Sequence, residues 1–227
     1  MSILRSLFAG QLPQLVMFDL DGTLLDSVPD LAAAVDKMLS TLGRKPAGVD
    51  KVKLWVGNGL PTLVKRALAN GDEQLPLDQH LYEQAQQLFT QFYASQNNLT
   101  CVYPKVYECL TWLKQNNVKL ALITNKPKQF LPSLLKQHQL DSFFSWVVGG
   151  DSLPQRKPDP AQLLWVMAQA KVSADASFFV GDSCNDIRAA KAAGVQCAGL
   201  TYGYNHGQPI SLETPQLVID SLEQLIF

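Results

Sequence analysis

The 227-residue chain carries 19 Lys and Arg against 20 Asp and Glu, and 47% of it is hydrophobic. That balance supports one sizeable core with room for a smaller inserted unit. It argues against a nucleic-acid-binding surface, which needs dense Lys and Arg, and no apolar run is long enough to span a bilayer.

The first fourteen residues carry a single charge and scattered apolar positions. They lack the apolar centre of a secretory signal and read as a short N-terminal extension. The run Leu15–Asp19 reads as a buried strand and leads into Asp19-Leu20-Asp21-Gly22-Thr23-Leu24. Two carboxylates one residue apart at a strand end oppose each other's ionisation, and so require a cation or a shared proton. If both face one pocket, one can attack as a nucleophile while the other handles protons. A strand followed by a polar Asp-Gly turn accounts for these residues equally well at this point.

From about Pro29 to Asn98 the pattern is helical. Leu31, Val35, Met38, Leu39 and Leu42 recur at helical spacing, with Pro29 at the start and Gly43 at the stop. A second helix is predicted over Pro61–Ala69, and a third carries Leu81, Ala85, Leu88, Phe89 and Phe92. Ahead of the second lies Trp55-Val56-Gly57-Asn58-Gly59-Leu60-Pro61. Backbone N–H groups at such a helix start suit an anion, for instance the carboxylate of a small substrate. A plain helix–helix turn, with Gly and Asn supplying positive φ, is the competing explanation. Lys65 and Arg66 read as solvated surface charges.

Four further strands are predicted at Lys119–Thr124, Trp146–Gly149, Ser177–Gly181 and Val195–Thr201. Helical segments at Tyr107–Gln115, Ala161–Ala170 and Asn185–Ala193 lie among them. Near-continuous apolar strands alternating with helices predict an α/β fold with a Rossmann-like parallel sheet and helices on both faces. The expected organisation is an extension over 1–14, a core of 15–28 with 99–227, and a small all-helical domain over 29–98, inserted after the first strand.

Polar clusters follow these strands: Asp19 with Asp21, Thr124-Asn125-Lys126, Arg156-Lys157-Pro158, and Gly181-Asp182-Ser183-Cys184-Asn185-Asp186. Ligands of open parallel sheets bind at the carboxyl ends of strands, so these clusters are expected to meet in one crevice. Several carboxylates together call for a hard divalent cation, above all Mg²⁺. The Thr124 hydroxyl and the Lys157 ammonium suit the charge on a transferring phosphoryl group. His80, His138 and His206 have no partner at motif spacing. Cys101, Cys109, Cys184 and Cys197 form no C-x-x-C pair, and reduced thiols in a cytoplasmic protein are expected.

In order along the chain, D-L-D-G-T-L at 19–24, T-N-K at 124–126, K-P at 157–158 and G-D-S-x-N-D at 181–186 resemble the four motifs of the haloacid dehalogenase superfamily. Gly149-Gly150-Asp151-Ser152-Leu153 and Thr201-Tyr202-Gly203-Tyr204 resemble its phosphoglycolate phosphatase group. The resemblance implies a Mg²⁺-dependent phosphatase with a helical cap, acting on a small phosphorylated metabolite, with 2-phosphoglycolate the best single candidate. Asp19 is then the nucleophile that forms an aspartyl-phosphate, and Asp21 the acid and base. Mg²⁺ is held by the Asp19 carboxylate, the Asp21 carbonyl and Asp182, while Thr124 and Lys157 hold phosphate oxygens. Asp186 lies just behind the metal's ligands and Ser183 caps the following helix. Gly57, Asn58, Gly59 and Asn125 are the candidate substrate contacts, and Arg156 stands beside the motif lysine. A sugar-phosphate mutase of the same superfamily keeps Asp19 and Asp21 and is the alternative. A non-enzymatic phospho-acceptor signalling module fits the length and motif order poorly. A monomer or homodimer without nucleic-acid or membrane partners is expected.

Overall fold

Leu15 and Met17 face one layer of apolar side chains while Val16 and Phe18 face another, the two-residue alternation of a strand buried on both sides. The computed structural model describes residues 2–72, 74–95 and 99–227. In chain order its elements are α1 (Ile3–Leu7), β1 (Leu15–Phe18), β2 (Leu25–Asp26), α2 (Val28–Thr41), α3 (Val49–Trp55), α4 (Leu60–Leu68) and α5 (Gln79–Ser95). There follow β3 (Cys101–Val102), α6 (Val106–Gln115), β4 (Lys119–Ile123), α7 (Leu131–Gln137), β5 (Trp146–Val148) and α8 (Ala161–Ala170). The chain closes with β6 (Ser177–Gly181), α9 (Cys184–Ala192), β7 (Gln196–Leu200) and β8 (Leu217–Ile219).

Among the described residues the main sheet has six strands in the order β5-β4-β1-β6-β7-β8, every neighbouring pair parallel. The chain winds outward from β1 to β5, returns to β6 and winds outward the other way. The strand order therefore reverses at β1, and the crevice of a doubly wound sheet opens beyond its carboxyl end. One face packs on α6 and α7 through Val106, Leu110, Leu113, Leu131 and Leu134. The other packs on α8 and α9 through Leu163, Val166, Ile187 and Ala190.

Helices α2 to α5 form a separate cluster around Met38, Val64, Phe89 and Tyr93, joined from the sheet side by Phe130 and Tyr204. Two chain segments connect this helical insertion to the sheet, and Asp30 ties them together. Its buried carboxylate accepts hydrogen bonds from the N–H of Leu99 (3.2 Å) and Thr100 (2.8 Å) and from the Thr100 hydroxyl (2.5 Å). The expected boundary at residue 98 lies outside the described residues.

Several elements were not anticipated. Helices α1, α3 and α7 are five to seven residues long, too short to display a period, and β8 is a three-residue strand at the sheet edge. The segment read as an extension is packed: Leu4 is fully buried in the same cluster as Leu222 and Leu225. The Phe8 ring meets Phe178 edge-on at 6.1 Å. Among the described residues no helix is long and apolar enough to cross a membrane.

Candidate active site

Asp19 follows β1 directly, its N–H bonded to Val180 O of the neighbouring strand at 3.0 Å. The chain then turns at Gly22 (φ +92°), where a Cβ would fall 2.2 Å from Asp182 Oδ2. Only glycine allows both that dihedral and that approach. Thr23, just past the turn, donates its hydroxyl to Asp182 Oδ1 at 2.6 Å. Asp182 Oδ2 accepts the Tyr204 N–H at 2.6 Å. Gly203 leaves room for this carboxylate, since a Cβ there would meet Asp182 Cβ at 2.3 Å.

Beyond β6 the G-D-S-x-N-D segment starts α9. Asp186 Oδ2 accepts the N–H of Asp182 (3.2 Å) and of Ser183 (3.0 Å) and the Ser183 hydroxyl (2.6 Å). Asp186 Oδ1 accepts from Lys157 Nζ at 2.6 Å. The same ammonium donates to Ile123 O at 2.7 Å and stands 2.8 Å from Asp19 Oδ1. Burial alone would lower the Lys157 pKa, but Asp186 and Asp19 together raise it, so it is a permanent cation here.

Carboxylate oxygens of Asp19, Asp182 and Asp186 lie within 4.8 Å of one another. Burial pushes the Asp19 carboxyl up to about 7; Lys157 opposes this, and Asp186 and Asp21 add to it. Asp182 is also held well above the usual carboxylate range, first by burial and then by Asp186 and Asp19. One lysine therefore does not neutralise the cluster. Among the described residues the Lys157 ammonium is the one side-chain donor at the Asp19 carboxylate. Both oxygens of Asp186, by contrast, are engaged by protein donors. The donor set fits a hard cation held by Asp19 and Asp182, with Asp186 bracing the loop and the lysine.

Asp21 points differently. Its Oδ1 accepts the Ser27 hydroxyl at 2.5 Å and Lys126 Nζ at 2.9 Å, and its Oδ2 lies 3.2 Å from the same ammonium. Thr124 follows β4, held by its N–H to Val148 O at 3.0 Å, and its hydroxyl accepts the Lys126 N–H at 3.2 Å. Asp19, Asp21, Thr124, Asn125, Lys126, Lys157, Ser183 and Asp186 all line one cavity, roofed from the insertion by Leu31, Val56, Leu60, Leu63 and Phe89.

The glycine-rich turn reaches this cavity through Gly57 (φ +114°) and Gly59 (φ +83°), but the Asn58 side chain does not. Asn58 Oδ1 accepts from Arg66 at 2.9 Å and its Nδ2 donates to Asn185 at 3.4 Å, so Asn58 shapes the turn. Asn125 Nδ2 donates to Gly57 O and Lys157 O, each at 2.9 Å, and Asn185 Nδ2 donates to Gly57 O at 3.2 Å. These bonds fasten the turn to the sheet. Arg66, read as a surface charge, holds Trp55 O at 2.8 Å as well as Asn58. Arg156 lies against Gly59, whose Cβ would sit 3.1 Å from its Nη1.

Sequence reasoning gave no role to Lys126, Ser27, Thr23 or Tyr204. Lys126 carried a usable signal as the third residue of T-N-K. Thr23 and Tyr204 lie within D-L-D-G-T-L and Thr201-Tyr202-Gly203-Tyr204, but their contacts with Asp182, like that of Ser27 with Asp21, are set by how the chain turns.

The profile of the haloacid dehalogenase-like hydrolases matches residues 16–200. A phosphoglycolate phosphatase of Pseudomonas putida is 59% identical over 226 residues, covering 100% of this chain and 83% of that protein. Phosphoglycolate phosphatase 1 of Pseudomonas aeruginosa is 56% identical over the same length and with the same coverage of both. The crystal structure of a predicted phosphoglycolate phosphatase from Haemophilus somnus superposes with a TM-score of 0.90 at 36% identity, covering 94% of this chain and 96% of that one. Strand order, strand-end chemistry and full-length similarity agree, and the chain belongs to the haloacid dehalogenase-like hydrolase family.

Proposed function

We propose that this hydrolase is a Mg²⁺-dependent phosphatase that cleaves 2-phosphoglycolate to glycolate and phosphate. The reading rests most heavily on Asp19, whose buried carboxylate faces Lys157 and lies within 4.8 Å of the Asp182 and Asp186 carboxylates, beyond the strand where the sheet order reverses. Substrate choice is drawn from the names of the relatives at 56–59% identity.

In this mechanism Asp19 attacks phosphorus while the bond to the bridging oxygen breaks, leaving the phosphoryl group on the Asp19 carboxylate. Asp21 passes a proton to the departing oxygen of glycolate. As a carboxylate it then takes a proton from the water that attacks phosphorus, releasing phosphate and restoring both residues. Ser27 and Lys126 hold Asp21 for this exchange. Thr124 and Lys157 bind phosphoryl oxygens, and Lys157 moderates the charge on Asp19. Asp19, Asp182 and the Asp21 carbonyl would hold Mg²⁺, which would supply positive charge for the phosphoryl oxygens. The helical insertion acts as a cap whose apolar underside excludes bulk water. The enzyme is read as cytoplasmic and as a monomer or homodimer.

A phosphate-release assay over small phosphorylated metabolites, with and without Mg²⁺, tests the reading. Strong preference for 2-phosphoglycolate, lost on chelation, is expected. Isomerisation of hexose phosphates without phosphate release would instead identify a mutase.

A further inference from the structure

We infer that Lys126 is the residue that recognises the carboxylate of the substrate, and so sets specificity for phosphorylated hydroxy acids over neutral phosphate esters. The inference rests on the phosphatase reading above and goes one residue further. The side chains of the roof offer an anion no charge: Leu31, Val56, Leu60, Leu63 and Phe89 are apolar. A substrate carboxylate brought under that roof loses its water and needs a cation to offset the loss. Lys126 and Lys157 are the two cations lining the cavity among the described residues.

Lys157 stands beside the attacking Asp19 carboxylate, with Ile123 O and Asp186 as its other partners, so what it offers a substrate goes to the phosphoryl group and not to the distant carboxylate. Lys126 meets one carboxylate, Asp21, and the Tyr93 side chain, with which it shares a hydrogen bond and whose ring centroid lies 4.7 Å from the ammonium. An ammonium has three donors; Asp21 and Tyr93 leave one N–H for a substrate oxygen, and a neutral phenol is a weaker partner than a carboxylate. The side chain is 3% exposed, so its charge is little screened by solvent.

The chemistry of the leaving group adds a distance argument. Asp21 must reach the bridging oxygen to protonate it. In a phosphorylated α-hydroxy acid three bonds separate that oxygen from the carboxylate oxygens, a span of about 3–4 Å at ordinary bond lengths. The carboxylate therefore arrives beside whatever adjoins Asp21, and Lys126 Nζ is 2.9 Å from Asp21 Oδ1. Its contact with Asp21 also explains why the same lysine could serve only to position that acid, and the test must separate the two.

The discriminating quantity is the ratio of kcat/KM for 2-phosphoglycolate to that for ethyl phosphate, which lacks the carboxylate. A pure effect on Asp21 lowers both values alike and leaves the ratio unchanged. Lys126→Met and Lys126→Gln are each expected to lower it about 10- to 100-fold, the range for a lost charge-assisted hydrogen bond. Lys126→Arg should retain most of it. Calorimetric affinity for 2-phosphoglycolate in the turnover-deficient Asp19→Asn protein should fall by a similar factor on adding Lys126→Met, with no proton transfer involved. An unchanged ratio in the neutral variants, or an unchanged affinity, overturns the assignment. A wild-type ratio near one overturns the phosphoglycolate reading itself, and this inference with it.

Discussion

Lys157 Nζ lies 2.6 Å from Asp186 Oδ1, with 1% and 0% of the two side chains exposed. The pair joins the loop after β5 to the first turn of α9, and so fixes where the ammonium sits relative to Asp19. Removing one partner of a buried pair strands the other charge, while the loop donors to Asp186 lose their acceptor. Asp186→Ala is therefore expected to destabilise the protein by about 3–5 kcal/mol. Urea unfolding measures this, and a loss below about 1 kcal/mol, the scale of an exposed pair, would contradict the bracing role.

Asp19→Asn should lose turnover by roughly 10³-fold or more, since a neutral amide oxygen is a far weaker nucleophile than a carboxylate. The fold should survive, because the substitution replaces a carboxylate whose ionisation is opposed chiefly by burial. Melting temperature and phosphate release on one preparation check both halves. Substantial residual turnover would sink the nucleophile assignment.

The acidic cluster also sets a pH dependence with a definite sign. Asp19 titrates near 7 in the folded protein and near its ordinary value of about 4 when unfolded. Across that window the native state holds a proton that the unfolded chain has released, so metal-free stability falls as pH rises. A divalent cation competes with that proton. At ten times its Kd, Mg²⁺ should stabilise by about 1.4 kcal/mol at pH 8, a rise of roughly 3–6 °C in Tm. The rise should be much smaller at pH 5. Thermal melts at both pH values decide it, and a larger shift at pH 5 would falsify the account.

Gly203→Ala places a methyl group about where Asp182 Cβ stands, 2.3 Å away. The carboxylate must move, at a cost of roughly 1–3 kcal/mol for the overlap. The Mg²⁺ concentration giving half-maximal activity should rise. A variant with unchanged metal dependence would remove Asp182 from the metal site.

The polar clusters after β1, β4 and β6, the glycine at the first turn and the alternation of strands with helices were legible in the chain, because each is a local pattern. Their convergence followed from a general property of parallel sheets. Ala161–Ala170 was read to the residue from its own period. Elements of three to seven residues, such as α3 and β8, show no period and owe their form to neighbours supplied by the fold.

Roles within the site divide in the same way. Residue types at 19, 21, 124, 157 and 182 suit the charge of a transferring phosphoryl group, and the roles proposed for them follow from the resemblance of their motifs to the family. Which carboxylate meets which cation is a tertiary matter. Lys157 goes to Asp19 and Asp186, whereas Lys126, with only Asn125 between it and Thr124, swings to Asp21. Asn58 turns away from the cavity that Gly57 and Gly59 line. Such pairings depend on side-chain direction across elements far apart in the chain, and spacing along a sequence carries no information about that.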